Sequence, residues 1–206
     1  EIYQCDWSSD VCSSDLYARK DPRIRLHRND QTLPVIQNWN RALELISPEG
    51  KYVRILHADD LMYPTCLEKC VAVAQRHPSV GIVGSLRLRG DFVQCEGLPR
   101  NREVFSGIEI ARAFLRNQVH AMAPASNMVR ADLVRTQNPF YPTKYLHADL
   151  AAYYALLKDC DFGFVHEVLA FSRVHEDSIT TTVAERNQTI LREGLLLLLH
   201  YGPNYF

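Results

Sequence analysis

The chain has 206 residues, with 23 basic and 24 acidic side chains, a formal net charge of −1 and an apolar fraction of 47%. These values are typical of a globular protein with one large domain. No apolar run approaches the roughly 18 residues that cross a bilayer. The near-neutral balance and the lack of a long Lys/Arg cluster give no support for a nucleic-acid partner, so small-molecule chemistry is favoured.

The first residues differ from the rest of the chain. The segment CDWSSDVCSSDL, Cys5–Leu16, is polar and unpatterned, unlike the sequence after Tyr17. Its run DWSSDVCSSDL resembles the translation of a common sequencing-adapter oligonucleotide. We therefore expect residues 1–16 to be a non-native scar and exclude them from fold prediction. The alternative is a natural Ser/Asp-rich flexible terminus, and neither interpretation gives the segment a function.

Outside that segment the chain has four cysteines, Cys66, Cys70, Cys95 and Cys160. The spacing of Cys66 and Cys70 on a helix would suit a metal, but no second Cys or His pair completes a tetrahedral set. Buried structural thiols are the preferred interpretation. Unpaired cysteines predict a reducing compartment. We therefore expect a protein of the cytoplasm, either free or at the membrane periphery.

Hydrophobic periodicity and turn residues predict the secondary structure. In chain order, the patterns predict a strand (Arg23–Arg28), a helix (Val35–Ile46), a strand (Lys51–Leu56), a helix (Pro64–His77), a hairpin turning at Gly90 (Ser79–Glu96), a helix opened by a capping box of Ser106 and Glu109 (Ser106–Asn117), a helix (Asp149–Cys160), a strand pair or extended run (Phe162–His175) and a helix (Glu185–His200). Strands that alternate with helices predict an α/β fold with a mainly parallel sheet flanked by helices.

Two adjacent carboxylates, Asp59 and Asp60, follow the apolar run KYVRIL, Lys51–Leu56. Ligands of α/β sheets gather at the carboxyl ends of the strands. Two like charges repel there unless water or a hard divalent cation neutralises them, and Mn²⁺ or Mg²⁺ would suit. Capping of the helix that opens at Pro64 explains the same residues equally well at this point.

A resemblance to a known family narrows these alternatives. The pieces DPRIRLHRND, NWNRAL, GKYVRILHADDLMYPTCLEK, HPSVGIVGS, HADLAAYYALL and VLAFSRVHEDSIT follow one another along about three quarters of the chain. Their order and spacing resemble the inverting family 2 glycosyltransferases, which have the Rossmann-like GT-A nucleotide-sugar fold. The resemblance implies a nucleotide-sugar donor and a glycan or lipid-linked acceptor. It also allows peripheral membrane association of the full-length protein.

The resemblance implies a metal site and donor contacts. Asp59, and less directly Asp60, match the acidic motif that holds Mn²⁺ or Mg²⁺ on the donor diphosphate. His57 stands where the family's motif begins with Asp, so it is a candidate donor contact, with a packed or capping histidine as the alternative. His175 of the late RxH element would complete the metal shell.

The resemblance also implies a catalytic base and phosphate contacts. Asp149, at a helix start, matches the base that takes the acceptor proton, and a helix-terminal charge is the alternative. Arg173 would pair with phosphate, with an exposed strand-end charge as the alternative. Asn38, Asn40 and Arg41 are further candidates for donor binding. The segment MAPASNMVR, Met122–Arg130, lies where relatives shape the acceptor pocket.

These assignments together predict a function. We expect inverting sugar transfer to an acceptor hydroxyl in the synthesis of cell-surface polysaccharide or glycoconjugate. A metal-dependent phosphohydrolase and a noncatalytic binding module are the competing interpretations. The hydrolase would need a water-activating cluster with at least two additional ligands.

The family also predicts what precedes the matched part. Members begin with a strand–helix–strand segment that binds the nucleoside, and residues 1–16 stand where it should end. We therefore expect an N-terminally truncated enzyme, inactive alone, whose GT-A domain spans 17–206. Its expected parts are a donor and metal part at about 17–100, an acceptor and catalytic part at about 101–180, and a C-terminal helix at about 184–200.

Overall fold

The computed structural model describes residues 13–123, 126–174 and 189–206. The chain divides into two compact units, Glu1–Leu45 and Ile46–Phe206. The described part of the first unit contains two helices, α1 (Ser13–Lys20) and α2 (Val35–Glu44). The strand predicted at Arg23–Arg28 is wrong, because the described residues of this unit form no other strand with which it could pair.

The second unit alternates short strands with helices. In chain order its elements are β1 (Tyr52–Val53), β2 (Asp60–Met62), α3 (Cys66–Arg76), β3 (Val80–Arg89), β4 (Phe92–Gln94), β5 (Val104–Phe105), α4 (Gly107–Leu115), β6 (Met128–Arg130), α5 (Ala131–Arg135), α6 (Ala148–Leu156), β7 (Asp161–Ser172) and α7 (Thr189–Tyr201). A short 3₁₀ turn, Gly202–Asn204, follows α7. The predicted α/β class is confirmed.

The sheet is built around two long strands, β3 and β7. Its order is β1-β6-β3-β7-β2, and β4 and β5 pair with β3 and β7 respectively. The β3–β7 pairing is parallel, as predicted, because three helices lie in the crossover between the two strands. The sheet departs from a mainly parallel one because the short strands around this pair join it antiparallel.

The core lies between α3 and the central strands. The inner side of α3 carries Cys66, Cys70, Val73 and Ala74, which pack with Val80, Val83, Met128, Val165 and Leu169. Cys66 and Cys70 are fully buried and unbridged, as expected of structural thiols. The β3–β4 hairpin turns at Gly90, whose φ of 57° suits glycine.

The start of α4 differs in detail from the predicted capping box. Ser106 is the N-cap residue, but its side chain makes no capping hydrogen bond. Glu109 accepts a hydrogen bond from the Ser106 backbone N–H, so half of the box forms. The other half is absent while Arg102 holds the same Glu109 carboxylate with two hydrogen bonds of 2.8 Å.

The two helices α6 and α7 lie side by side and run in the same direction. Glu193 near the start of α7 contacts the start of α6, and the Tyr201 ring near its end lies 5.8 Å from that of Tyr154. Tyr205 donates a hydrogen bond to the Tyr154 carbonyl oxygen. Helix α7 therefore supports α6 along its length. Within the described residues, no helix has both the length and the apolar content that crossing a bilayer requires.

Two glycines give a matched test of this packing. A Cβ on Gly107 would lie 2.0 Å from the Cys160 carbonyl oxygen and 2.1 Å from that of Leu157. Backbone atoms cannot move aside cheaply, so we expect Gly107→Ala to lower the free energy of unfolding by about 3 kcal/mol or more. A Cβ on Gly194 meets no described atom within 4 Å.

Because alanine is the better helix former, Gly194→Ala should raise the free energy of unfolding by about 0.5–1 kcal/mol. Urea unfolding midpoints of the two variants give the comparison. Equal midpoints would contradict the close contact of α4 with the loop after α6.

Candidate functional site

Three side chains that could ligate a metal ion converge between β1 and β2. The ligand atoms of His57, Asp59 and Asp60 all lie within 4.8 Å of one another. A turn closed by the Asp60 N–H and the His57 carbonyl oxygen, 3.1 Å apart, brings them together. His57 Nδ1 lies 3.5 Å from Asp60 Oδ2, and the Asp60 side chain is only 7% exposed. A carboxylate this buried needs a compensating partner, and a bound cation would supply one.

The setting of this acidic pair differs from the predicted strand end. The strand predicted at Lys51–Leu56 is reduced to Tyr52–Val53, and Asp60 itself opens β2. Strand β2 pairs antiparallel with the end of β7, where Asp60 lies opposite Ser172. The capping alternative is contradicted for Asp60, because Thr65 is the N-cap residue of α3.

Asp149 lies in the first turn of α6, at the predicted helix start. Asp149 is 7% exposed, and burial raises the pKa of its carboxyl group. The neighbouring His147 and His57 side chains, together with backbone N–H groups of Leu150 and Asp149 itself, oppose part of that rise in the Asp149 pKa. A buried carboxylate of raised pKa is a stronger base than an exposed aspartate, as general-base chemistry requires.

His57 interacts with both carboxylate groups of interest. It lies 3.5 Å from Asp60, and it is close enough to Asp149 to lower the pKa of that carboxyl group. The structure therefore brings the acidic pair and Asp149 into one electrostatic environment within the Ile46–Phe206 unit. His57, named by the resemblance as a candidate donor contact with a packed or capping histidine as the alternative, interacts with both groups.

A buried polar layer surrounds Asp149, and sequence reasoning missed most of it. The Tyr141 and Tyr153 hydroxyl groups are hydrogen-bonded to each other, and burial and the Asp149 charge raise the pKa of both. Asn127 is 2% exposed, and its carboxamide has no hydrogen bond of normal geometry among the described residues, although it lowers the pKa of Tyr153. Arg54 Nη1 donates to the Ser126 carbonyl oxygen at 3.3 Å.

Part of this layer had a signal in the sequence. Tyr153 follows Asp149 by four positions, so the two share one helix face. Arg54 is a charged residue inside the apolar run KYVRIL, and such a residue needs a partner. Asn127 lies in the segment Met122–Arg130, which the family resemblance linked to the acceptor pocket without singling out this residue.

The remaining candidate residues stand as follows. Arg173 is exposed. It follows Ser172, which pairs with Asp60 between strands β7 and β2, so Arg173 is the residue next to that pair along the chain. His175 lies outside the described residues, so its metal role stays a prediction. In the Glu1–Leu45 unit, Asn38 accepts a hydrogen bond from Asn29 at 3.0 Å, and Arg41 pairs with Glu44 at 2.6 Å. Donor contacts by Asn38, Asn40 and Arg41 stay predictions.

The cluster of His57, Asp59 and Asp60 fits a divalent cation by its chemistry. Two carboxylates supply the oxygen ligands that Mg²⁺ and Mn²⁺ prefer, and an imidazole suits Mn²⁺ as well. Among the described residues, this is the one group of three side chains that could hold a metal ion. The additional ligands that a hydrolytic metal cluster needs are absent from the same residues.

Comparisons with known proteins show which family and which structures this chain is similar to. The family model described as glycosyl transferase family 2 matches residues 11–136. The crystal structure of S. aureus TarS 1-349 superimposes with a TM-score of 0.65 at 12% identity, covering 97% of this chain and 55% of that one. A second structure of S. aureus TarS gives a TM-score of 0.58 at 14% identity, covering 89% of this chain and 35% of that one.

The chain thus spans about half the length of the first of these structures and about a third of the second. At such low identity the likeness shows the fold alone, and it confirms the predicted fold class. No curated protein sequence matches the chain.

Proposed function

The chain belongs to glycosyl transferase family 2, and from this premise we propose that it transfers a sugar from a nucleoside diphosphate donor to an acceptor hydroxyl with inversion. The observation that supports the proposal most is the shared environment of Asp60 and Asp149, both of which interact with His57. A site for donor phosphate and a base for the acceptor must lie close together in such a reaction.

In this proposal Asp59 and Asp60, with His57 beside them, hold Mn²⁺ or Mg²⁺ against the donor diphosphate. The cation, when bound, would draw negative charge from the departing nucleoside diphosphate. Arg173 and His175 would add positive charge on the same side. Asn38, Asn40 and Arg41 are further proposed donor contacts.

Asp149 acts on the acceptor. Its carboxylate takes the proton of the acceptor hydroxyl while that oxygen attacks the anomeric carbon on the face opposite to the diphosphate. One displacement forms the new glycosidic bond, breaks the bond to phosphate and inverts the anomeric carbon. The buried layer of Tyr141, Tyr153 and Asn127 keeps water away from Asp149, which strengthens its charge interactions.

The proposal includes a glycan or lipid-linked acceptor and a role in cell-surface polysaccharide or glycoconjugate synthesis. Peripheral membrane association of the full-length protein stays a prediction of the sequence. An independent read of the gene, made without adapters, would define the protein on which the activity is measured.

The product of donor cleavage separates the competing functions. The protein is incubated with a panel of nucleoside diphosphate sugars and Mn²⁺ or Mg²⁺, and the nucleotide products are resolved by chromatography. Sugar transfer, to an acceptor or to water, releases the nucleoside diphosphate, and a chelator should stop the release. Nucleoside monophosphate and sugar phosphate would instead indicate a phosphohydrolase. Donor binding without any cleavage would favour the noncatalytic module.

A further inference from the structure

The start of α6 is held from outside the helix by one carboxylate. Glu193 of α7 accepts hydrogen bonds from the backbone N–H groups of Leu146 and His147, at 2.9 Å to Oε1 and 2.8 Å to Oε2. Both contacts are partly buried, and hydrogen bonds to a charged acceptor are stronger than neutral ones. The two oxygens fix two consecutive peptide groups immediately before the turn that carries Asp149.

A second contact from α7 reaches the same place. The Thr189 hydroxyl lies 3.4 Å from Nε2 of the His147 ring. Thr189 and Glu193 are four positions apart, so they lie on one face of α7. His147 is the N-cap residue of α6, yet its own side chain makes no capping hydrogen bond. The order of this helix start therefore depends on α7 instead of on a local cap.

Buried side chains fix the position of helix α7. Leu197 and Tyr201, on the side of α7 that also carries Glu193, are 2% and 8% exposed. The Tyr201 ring packs near Tyr154 at the other end of α6. The position of Glu193 relative to α6 is thus set by packing at both ends of the helix pair.

We propose that Glu193 is a positioning residue for Asp149. By holding the peptide groups of Leu146 and His147, it sets where the first turn of α6 begins and hence where the Asp149 carboxylate meets the acceptor. This inference rests on the proposed function, in which Asp149 is the base. Glu193 touches no reacting atom, so its effect reaches the reaction through the backbone alone.

Three variants test the proposal in the intact gene product. Glu193→Ala removes both hydrogen bonds, and Glu193→Gln keeps a single acceptor oxygen. Glu167→Ala is the matched control, because Glu167 pairs with Lys69 on the surface and lies outside the site. Turnover per folded molecule, donor affinity and thermal unfolding are measured for each variant.

A displacement of about 1 Å at a catalytic group costs up to about 10²-fold in rate. We expect Glu193→Ala to lower turnover by about 10- to 10²-fold with donor affinity changed less than about twofold, and Glu193→Gln to fall between it and the wild type. Hydrogen exchange at the first turn of α6 should also accelerate in Glu193→Ala. The Glu167→Ala control should keep normal turnover.

Two outcomes would overturn the inference in different ways. A folded Glu193→Ala protein with normal turnover, in a wild type whose turnover depends on Asp149, would show that Glu193 is structural only and leave the proposed function intact. A wild type that transfers no sugar, or whose turnover is indifferent to Asp149→Asn, would overturn the proposed function, and the role of Glu193 with it.

Discussion

Asp149→Asn is expected to lower turnover by about 10² to 10⁴, the usual cost of removing a general base. Asparagine has nearly the same shape as aspartate but cannot accept the acceptor proton. Donor affinity should stay nearly unchanged, because the proposed metal and diphosphate contacts involve His57, Asp59 and Asp60. Turnover and donor binding are measured side by side in the intact gene product.

The matched control is Asp132→Asn. Asp132 also lies in the first turn of a helix, α5, where it pairs with Arg130 at 2.6 Å. This change should leave turnover near normal. If Asp149→Asn behaved in the same way, Asp149 would be a helix-terminal charge and not the base.

Although Asp149→Asn is expected to lower turnover, it should raise the stability of the fold. Burial raises the pKa of Asp149, so its ionised form at neutral pH costs folding free energy. Relative to the ionised form, the protonated Asp149 carboxyl group stabilises the fold. This stabilisation is fully present below the unfolded-state pKa and is lost as the pH rises through the raised folded-state pKa. The asparagine side chain of the variant does not titrate and has nearly the same shape.

The melting temperature of Asp149→Asn should therefore exceed that of the wild type at neutral pH, and the difference should shrink in acid. Thermal unfolding between about pH 4 and pH 8 checks this. A variant less stable than the wild type at neutral pH would contradict the assignment of Asp149 as a buried base of raised pKa.

Asp59→Ala is expected to remove the part of nucleoside diphosphate binding that depends on Mn²⁺ or Mg²⁺. Asp59 supplies a carboxylate to a cluster whose ligand atoms lie within 4.8 Å, and two carboxylates hold a divalent cation far better than one. Titration calorimetry with and without the cation measures the loss, while the circular dichroism spectrum should not change.

Asp159→Ala provides the control for this experiment. Asp159 is exposed just before the first residue of β7, whereas Asp60 pairs with Ser172 at the last residue of that strand. Its removal changes the net charge by the same amount and should leave cation-dependent binding intact. Equal binding by Asp59→Ala and the wild type would show that the acidic pair holds no cation.

Local patterns predicted those parts of the fold that depend on neighbouring residues. The hairpin at Gly90 and the helix start at Asp149 follow from turn chemistry and helical spacing. Strand β2 was missed because Asp60 pairs with Ser172, which is distant in sequence. Its three residues form a strand only because the end of β7 offers an edge.

The site shows the same division. Asp59, Asp60 and Asp149 are recognisable because the motifs around them resemble those of the family in order and spacing. The support of Asp149 is not recognisable, since Glu193 lies 46 positions from His147. The interaction of His57 with Asp149 was not predicted, because it depends on how α6 packs. Contacts between distant segments set these features, and one sequence does not encode them as a pattern.

The anomeric configuration of the sugar that the protein transfers from the donor to water tests the central proposal most directly. The intact gene product is incubated with Mn²⁺ and a nucleoside diphosphate sugar that it cleaves, and proton NMR follows the first-formed anomer before mutarotation. A single displacement driven by Asp149 predicts an anomer opposite to that of the donor, with formation slowed by about 10² to 10⁴ in Asp149→Asn. A first-formed anomer with the donor's own configuration, or formation at the same rate in Asp149→Asn, would contradict the mechanism proposed for this chain.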